Sequence, residues 1–117
     1  MKVLVLEDNK CRREWFKYSD LFKYYTIVIC KTVEEAEKVL LESSIEFDLI
    51  FIDHDLGKVR DRYDFAKLLF KEIDEGRITN DPSIYIHSLN LVGAQNIKSV
   101  LKDAIILPFN DLIKQIK

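Results

Sequence analysis

Apolar residues along the chain fall into two alternating patterns. Short, unbroken runs rich in β-branched residues occur at Val3–Leu6 (VLVL), Thr26–Cys30 (TIVIC), Asp48–Asp53 (DLIFID), Ile84–Ser88 (IYIHS) and Ala104–Leu107 (AIIL). Runs of this kind mark strands buried on both faces. Between them, apolar positions recur at three- and four-residue steps, the period of one helix face. Cys11, Trp15, Tyr18 and Phe22 predict the first helix. Thr32 with Glu35 predicts a capped start for the second, lined by Val33, Ala36, Val39 and Leu40. After a loop, HDLGKVRDRY, over residues 54–63, Phe65, Leu68, Leu69 and Ile73 predict a third helix that stops at Gly76. Ile97, Val100, Leu101 and Ala104 predict a fourth. Pro108 breaks the last strand, and Asp111–Lys117 forms a short terminal helix.

Five strands alternating with five helices predict an α/β fold with a parallel sheet covered on both faces. The expected architecture is a five-stranded, doubly wound (βα)5 three-layer sandwich of the flavodoxin type. Residues 1–117 read as one domain, with no linker, repeat or low-complexity segment.

Composition narrows the class. Lysine and arginine total 18 and aspartate and glutamate 20, so the formal charge is −2 over 117 residues, which argues against a general coat for duplex DNA. The longest apolar runs span four to six residues, against the roughly 20 needed to cross a bilayer. The start, MKVLVLED, turns acidic too early for a signal peptide. Cys11 and Cys30 lack metal or redox spacing and read as reduced structural thiols, so the expected location is the cytoplasm, away from membranes.

In an open parallel sheet, ligands bind beyond the C-terminal ends of the strands, where strand order reverses. Those ends carry Glu7-Asp8-Asn9, Asp53-His54-Asp55-Leu56-Gly57, His87-Ser88-Leu89-Asn90 and Leu107-Pro108. Both histidines of the chain and four carboxylates fall there. Two carboxylates about 4 Å apart repel by roughly 1–4 kcal/mol, so a divalent cation, a shared proton or a cationic partner must offset them. Oxygen donors with water and phosphate suit Mg²⁺ or Mn²⁺. His54 and His87 could act as general acid and base near pH 7, the chemistry that opens a strained cyclic phosphodiester. Lys58, Arg60 and Arg62, in the loop after the third strand, are candidate phosphate contacts. Gly93 would allow close backbone approach to an anion at the start of the fourth helix.

These residues resemble the receiver domain of two-component response regulators over the whole chain. Glu7-Asp8 matches that family's metal-binding acids, Asp53 its phospho-acceptor, Ser88 its Ser/Thr switch, and Pro108-Phe109 its Lys-Pro-Phe motif without the lysine, which here is Leu107. The Met-Pro usually found beyond the acceptor is replaced by Asp55-Leu56. The departing segments, DHDLG (53–57) and IHSLNLVGAQN (86–96), resemble a narrower group, the cyclic-phosphate processing receivers. That group consists of small bacterial and phage domains inferred to sense or process cyclic phosphate ends of nucleotides or RNA.

The resemblance implies a metal-assisted site for a terminal or cyclic phosphate, and a candidate cyclic phosphodiesterase. Glu7, Asp8 and Asp53 would hold Mg²⁺ or Mn²⁺. Asp53, His54 and His87 would carry the chemistry. Asp55 would orient His54 or complete the metal shell, and Ser88, Asn90 and Gly93 would line the phosphate. The expected partner is a nucleotide or RNA phosphate end. The alternative is a divergent receiver, phosphorylated at Asp53 or non-catalytic, acting through protein contacts: a homodimer or protein partner on the fourth-helix face, or a phage–host interaction.

Overall fold

All five predicted strands form: β1 (Lys2–Leu6), β2 (Thr26–Cys30), β3 (Leu49–Asp53), β4 (Ser83–His87) and β5 (Ile105–Leu107). They pair in parallel in the order β2-β1-β3-β4-β5, the doubly wound arrangement expected from the alternation. The computed structural model describes residues 1–42, 47–53, 59–78, 82–87, 98, 101 and 103–116. The fourth predicted helix, over 97–104, lies largely outside these residues. The described helices are α1 (Lys10–Tyr18), α2 (Val33–Glu42), α3 (Val59–Asp74) and a C-terminal helix (Phe109–Ile116), with a single 3-10 turn at Asp20–Phe22.

Strand alternation divides the core into two layers. Leu4, Leu6, Ile50, Ile52 and Ile86 face α2 and α3, where Ala36, Phe65, Ala66 and Leu69 complete a buried cluster. Val3, Val5 and Phe51 point the other way, onto Phe16, Phe22 and Leu112, with Trp15 and Phe109 packed against them. Interior and edge strands differ in burial: Val3–Leu6 of β1 are all fully inaccessible, whereas edge strand β2 buries only Cys30.

Local sequence explains the helix ends. Asn9 caps α1, its side-chain oxygen accepting from the Arg12 N–H at 3.0 Å. At α2, the Glu35 N–H donates to Thr32 Oγ1 at 3.2 Å, and Glu35 Oε2 reaches back to the Lys31 N–H at 2.9 Å. The predicted box therefore forms with its return bond one residue earlier than the usual pattern. Gly76, at φ 78°, ends α3: the Arg77 N–H donates to the Glu72 carbonyl (2.9 Å) and the Gly76 N–H to that of Ile73 (3.1 Å), a Schellman stop.

Three expectations change. The first helix ends at Tyr18, because Ser19 adopts extended backbone and caps the following 3-10 turn through the Leu21 N–H. Its inward residue is Phe16, whereas Cys11 and Tyr18 are exposed. The third helix starts at Val59, inside the predicted loop, so Arg60 and Arg62 stand on helix. From Lys58 to Glu75 no glycine or proline interrupts the chain, and a helix can extend through polar residues that show no apolar period. The terminal helix begins at Phe109, two residues early, with Pro108 supplying the carbonyl for its first bond.

Candidate functional site

The same alternation places the chemistry. Val3 and Val5 on β1, Leu49 and Phe51 on β3, and Tyr85 on β4 face α1 and the C-terminal helix. One further two-residue step along each strand brings Glu7, Asp53 and His87 to that face. The register sets Asp53 beside His87, and His87 beside Leu107. Strand order reverses between β1 and β3, so these ends border the crevice where such sheets bind ligands.

Glu7, Asp53 and His87 are all fully buried. His87 Nε2 lies 2.6 Å from Glu7 Oε1, a hydrogen bond with one proton between the two groups, and 3.6 Å from Asp53 Oδ1. The Asn9 N–H donates to Glu7 Oε2 at 3.1 Å. Phe109 and Phe16 flank the imidazole, with ring centroids 5.3 and 6.3 Å away, and hold its orientation. Burial pushes the Glu7 carboxyl above its usual range, and the nearby Asp8 charge adds to this. A hydrogen bond with Asp53, the Asn9 N–H and the positive charge of Arg12 pull in the opposite direction without cancelling it. The Glu7 carboxyl therefore keeps its proton to higher pH than an exposed acid would.

The donor set also fits a cation. Glu7, Asp53 and His87 each offer one ligand atom, and all three atoms lie within 4.8 Å of one another. A divalent ion at that point would replace the retained proton and neutralise the acidic pair. Among the described residues, Asp8 does not share this convergence. It stands half-buried at the corner, where the Arg13 guanidinium donates to its carbonyl at 2.7 Å and to that of Glu7 at 3.4 Å.

Of the residues singled out in the sequence, the structure thus brings together Glu7, Asp53 and His87, with Asp8 adjacent. His54, Asp55, Ser88, Asn90 and Gly93 lie outside the described residues. Sequence reasoning passed over Arg12. Its Nη1 lies 3.7 Å from Asp53 Oδ1, and its guanidinium sits 5.3 Å from the centre of the Phe109 ring. The missed signal is a one-turn step: Arg12 precedes the buried Phe16 by four residues and shares its side of α1.

Solved structures of similar fold are response-regulator receivers. The Mn²⁺-bound form of response regulator Rcp1 aligns at a TM-score of 0.71 and 18% identity, covering 98% of this chain and 88% of that one. The phosphorylated cyanobacterial phytochrome response regulator RcpA gives 0.72 and 17%, covering 98% and 85%. The Vibrio cholerae chemotaxis protein CheY4 gives 0.69 and 19%, covering 97% and 93%. No curated protein matches the chain. Among the described residues no helix is long and apolar enough to cross a membrane. The buried acids at the ends of β1 and β3 therefore sit on a receiver fold, and with residues 2–103 matching its family model, the chain belongs to the cyclic-phosphate processing receiver domains.

Proposed function

We propose that this receiver domain binds, and with a divalent cation opens, a terminal or cyclic phosphate on a nucleotide or RNA. The observation that carries the reading is the buried convergence of Glu7, Asp53 and His87, with apolar Leu107 alongside His87. A relay receiver would use a lysine at Leu107 to steady an acyl phosphate on Asp53. Here that strand end is apolar, and a titratable imidazole occupies the neighbouring one.

Glu7, Asp53 and His87 would hold the cation, with Asp8 reaching it directly or through water. The imidazole in this set favours Mn²⁺ over Mg²⁺, which prefers oxygen donors alone. When bound, the cation supplies charge neutralisation at the phosphate and polarises its oxygens. The chain itself supplies orientation. Phe16 and Phe109 fix the imidazole, and the proton that lies between His87 and Glu7 in the metal-free site leaves when the cation takes its place. His54, beside Asp53 in sequence, is then the candidate general acid or base, and Asp55, Ser88, Asn90 and Gly93 are the candidate phosphate and positioning contacts.

The test is incubation with Mn²⁺ or Mg²⁺ and a nucleoside 2′,3′-cyclic phosphate, or an RNA bearing that end. Hydrolysis is followed by chromatography and binding by thermal shift, in wild type, Asp53→Asn and His87→Gln. Cation-dependent turnover or stabilisation, lost in both variants, is expected. Neither turnover nor stabilisation in wild type would sink the reading. Rapid acetyl-phosphate labelling of Asp53 would instead favour the divergent-receiver alternative.

A further inference from the structure

We propose that the groove between α1 and the end of β2 is a track for single-stranded RNA, holding the chain that leads to the phosphate end. The inference rests on the phosphate reading above and narrows its ligand from any phosphate to the end of a ribose chain. The groove has a volume of about 360 Å³. Four cationic side chains line it: Lys10, Arg13 and Lys17 from α1, and Lys31 just past β2. Glu14 and Glu35 line it too, so four cations against two carboxylates leave +2 in the groove of a chain whose total is −2.

Three observations fit this occupant. First, both walls adjoin the acidic end of the sheet. Arg13 donates to the carbonyls of Glu7 and Asp8, at 3.4 and 2.7 Å. On the other wall, Lys31 follows Cys30, whose carbonyl accepts from the Glu7 N–H at 2.9 Å. A chain with its last phosphate at Glu7 and Asp53 has the groove beside it. Second, the cations form a row. Lys10, Arg13 and Lys17 recur at three- and four-residue steps on α1, and at 1.5 Å per residue the two lysines stand about 10 Å apart along the helix. Because α1 joins the end of β1 to the start of the parallel β2, it runs back along the sheet, and the row leads away from the acidic end. A strand can follow that row, whereas a mononucleotide at the site engages only its near end. Third, an aromatic ring stands beside the last lysine. Tyr18 is 72% exposed, and the Lys17 ammonium lies 5.4 Å from its ring centre. Cations that track a backbone, with a ring on which a base stacks, are the combination that holds single strands; an acidic peptide has no use for the ring. A 2′,3′-cyclic end needs the ribose 2′-oxygen, which makes the strand RNA rather than DNA.

The probe is a dye-labelled RNA hexamer ending in a 3′-phosphate, measured by anisotropy in Mn²⁺ from about 50 to 200 mM salt. 3′-AMP is titrated separately by calorimetry. The groove variant is Lys10→Gln/Lys17→Gln/Lys31→Gln. The control, Lys2→Gln/Lys71→Gln/Lys114→Gln, makes the same charge change on exposed lysines outside the groove. Each phosphate neutralised on a single strand adds about 0.7 to the slope of log affinity against log salt, so the groove variant should lose about 2 from that slope. Its affinity at about 100 mM salt should fall roughly tenfold or more. Tyr18→Ala should weaken the hexamer roughly fivefold or more, with the slope unchanged.

Tighter binding of the hexamer than of 3′-AMP, with that advantage lost in the groove variant and kept in the control, supports the proposal. The three lysines are exposed, so the groove variant should melt with wild type. If it does not, the single substitutions Lys17→Gln and Lys31→Gln decide, each expected to lower the slope by about 0.7. If groove variant and control bind the hexamer within twofold of each other at equal slope, the proposal is overturned while the phosphate reading stands. The same holds if 3′-AMP binds wild type as tightly as the hexamer. Groove-dependent binding that is equally tight for a hexamer ending in a 3′-hydroxyl supports the track and overturns the phosphate-end reading. A polyglutamate peptide of equal charge that binds as tightly, with the same dependence on the groove, makes the occupant an acidic peptide and overturns the proposal. No binding of hexamer or 3′-AMP by wild type overturns both readings.

Discussion

Glu7→Gln tests the electrostatics of the site most directly. The substitution keeps the shape of a fully buried side chain and its acceptor for the Asn9 N–H, and removes its titration. The wild-type carboxyl is held above its usual value of 4.5, chiefly by burial. Between 4.5 and the native value, the unfolded chain has lost this proton and the folded chain keeps it. The folded state binds more protons there, so wild-type stability is full at lower pH and falls as pH rises through that window. The slope reaches about 1.4 kcal/mol per pH unit while the window lasts. Loss of the His87 contact in the variant, worth about 1.5–3 kcal/mol for a charge-assisted bond, sets the height of the difference and leaves the slope to report the proton. Urea denaturation in EDTA from pH 4 to 8 measures it. The stability of Glu7→Gln relative to wild type is expected to be flat below the onset, rise with pH, and then level off. Saturating Mn²⁺ at about a hundred times its dissociation constant then adds roughly 2.7 kcal/mol to wild type and much less to the variant. A flat difference across the range, or one that falls with pH, would refute the argument that burial holds a proton on this acid.

Further expectations follow from the same packing. Phe16→Ala removes the ring between Phe51, Phe22 and the His87 imidazole and should cost about 3–5 kcal/mol in urea denaturation. Gly76→Ala meets no atom within 4 Å but must hold φ +78°, so its cost is the left-handed backbone alone, about 1 kcal/mol by the same assay. Thiol titration should separate the two cysteines: Cys11 is exposed and reacts in the native protein, while burial pushes the Cys30 thiol up to about 11, and it reacts only on unfolding. Equal native rates would contradict the buried position at the end of β2.

The fold and three site residues were legible because a strand has a fixed two-residue period. Once VLVL, LIFI and IYI are read as buried strands, Glu7, Asp53 and His87 must continue them at one edge, whatever the helices do. Helix phase is less constrained. The segment KCRREWFKYSDLFKYY carries aromatics at 15, 16, 18, 22, 24 and 25, so apolar residues appear on several sides of the cylinder. Cysteine and tyrosine count as apolar yet tolerate water, and the choice of Cys11, Trp15 and Tyr18 as the inner face followed from them. Only contact with Phe51 and Phe109 selects Phe16 instead, and with that choice Arg12 turns toward the acids. The first turn of α3 was hidden for the converse reason: its polar residues carry no period at all.

The exchange of a lysine position for a histidine one strand away can be tested by restoring the lysine. Leu107 and His87 are register partners on neighbouring strands, which lie about 4.8 Å apart. An ammonium introduced by Leu107→Lys would meet the cation-binding cluster at about that range. At an effective dielectric near 20, like charges about 5 Å apart repel by roughly 3 kcal/mol. If Glu7, Asp53 and His87 hold a divalent cation there, the added lysine competes with it. Mn²⁺ affinity by calorimetry should then drop at least tenfold, and Asp53 should gain no acetyl-phosphate labelling. If the site is instead a relay receiver that merely lost its lysine, the same substitution repairs it. Labelling of Asp53 would then appear with metal affinity intact, and that result would refute the view that His87 has taken over the site.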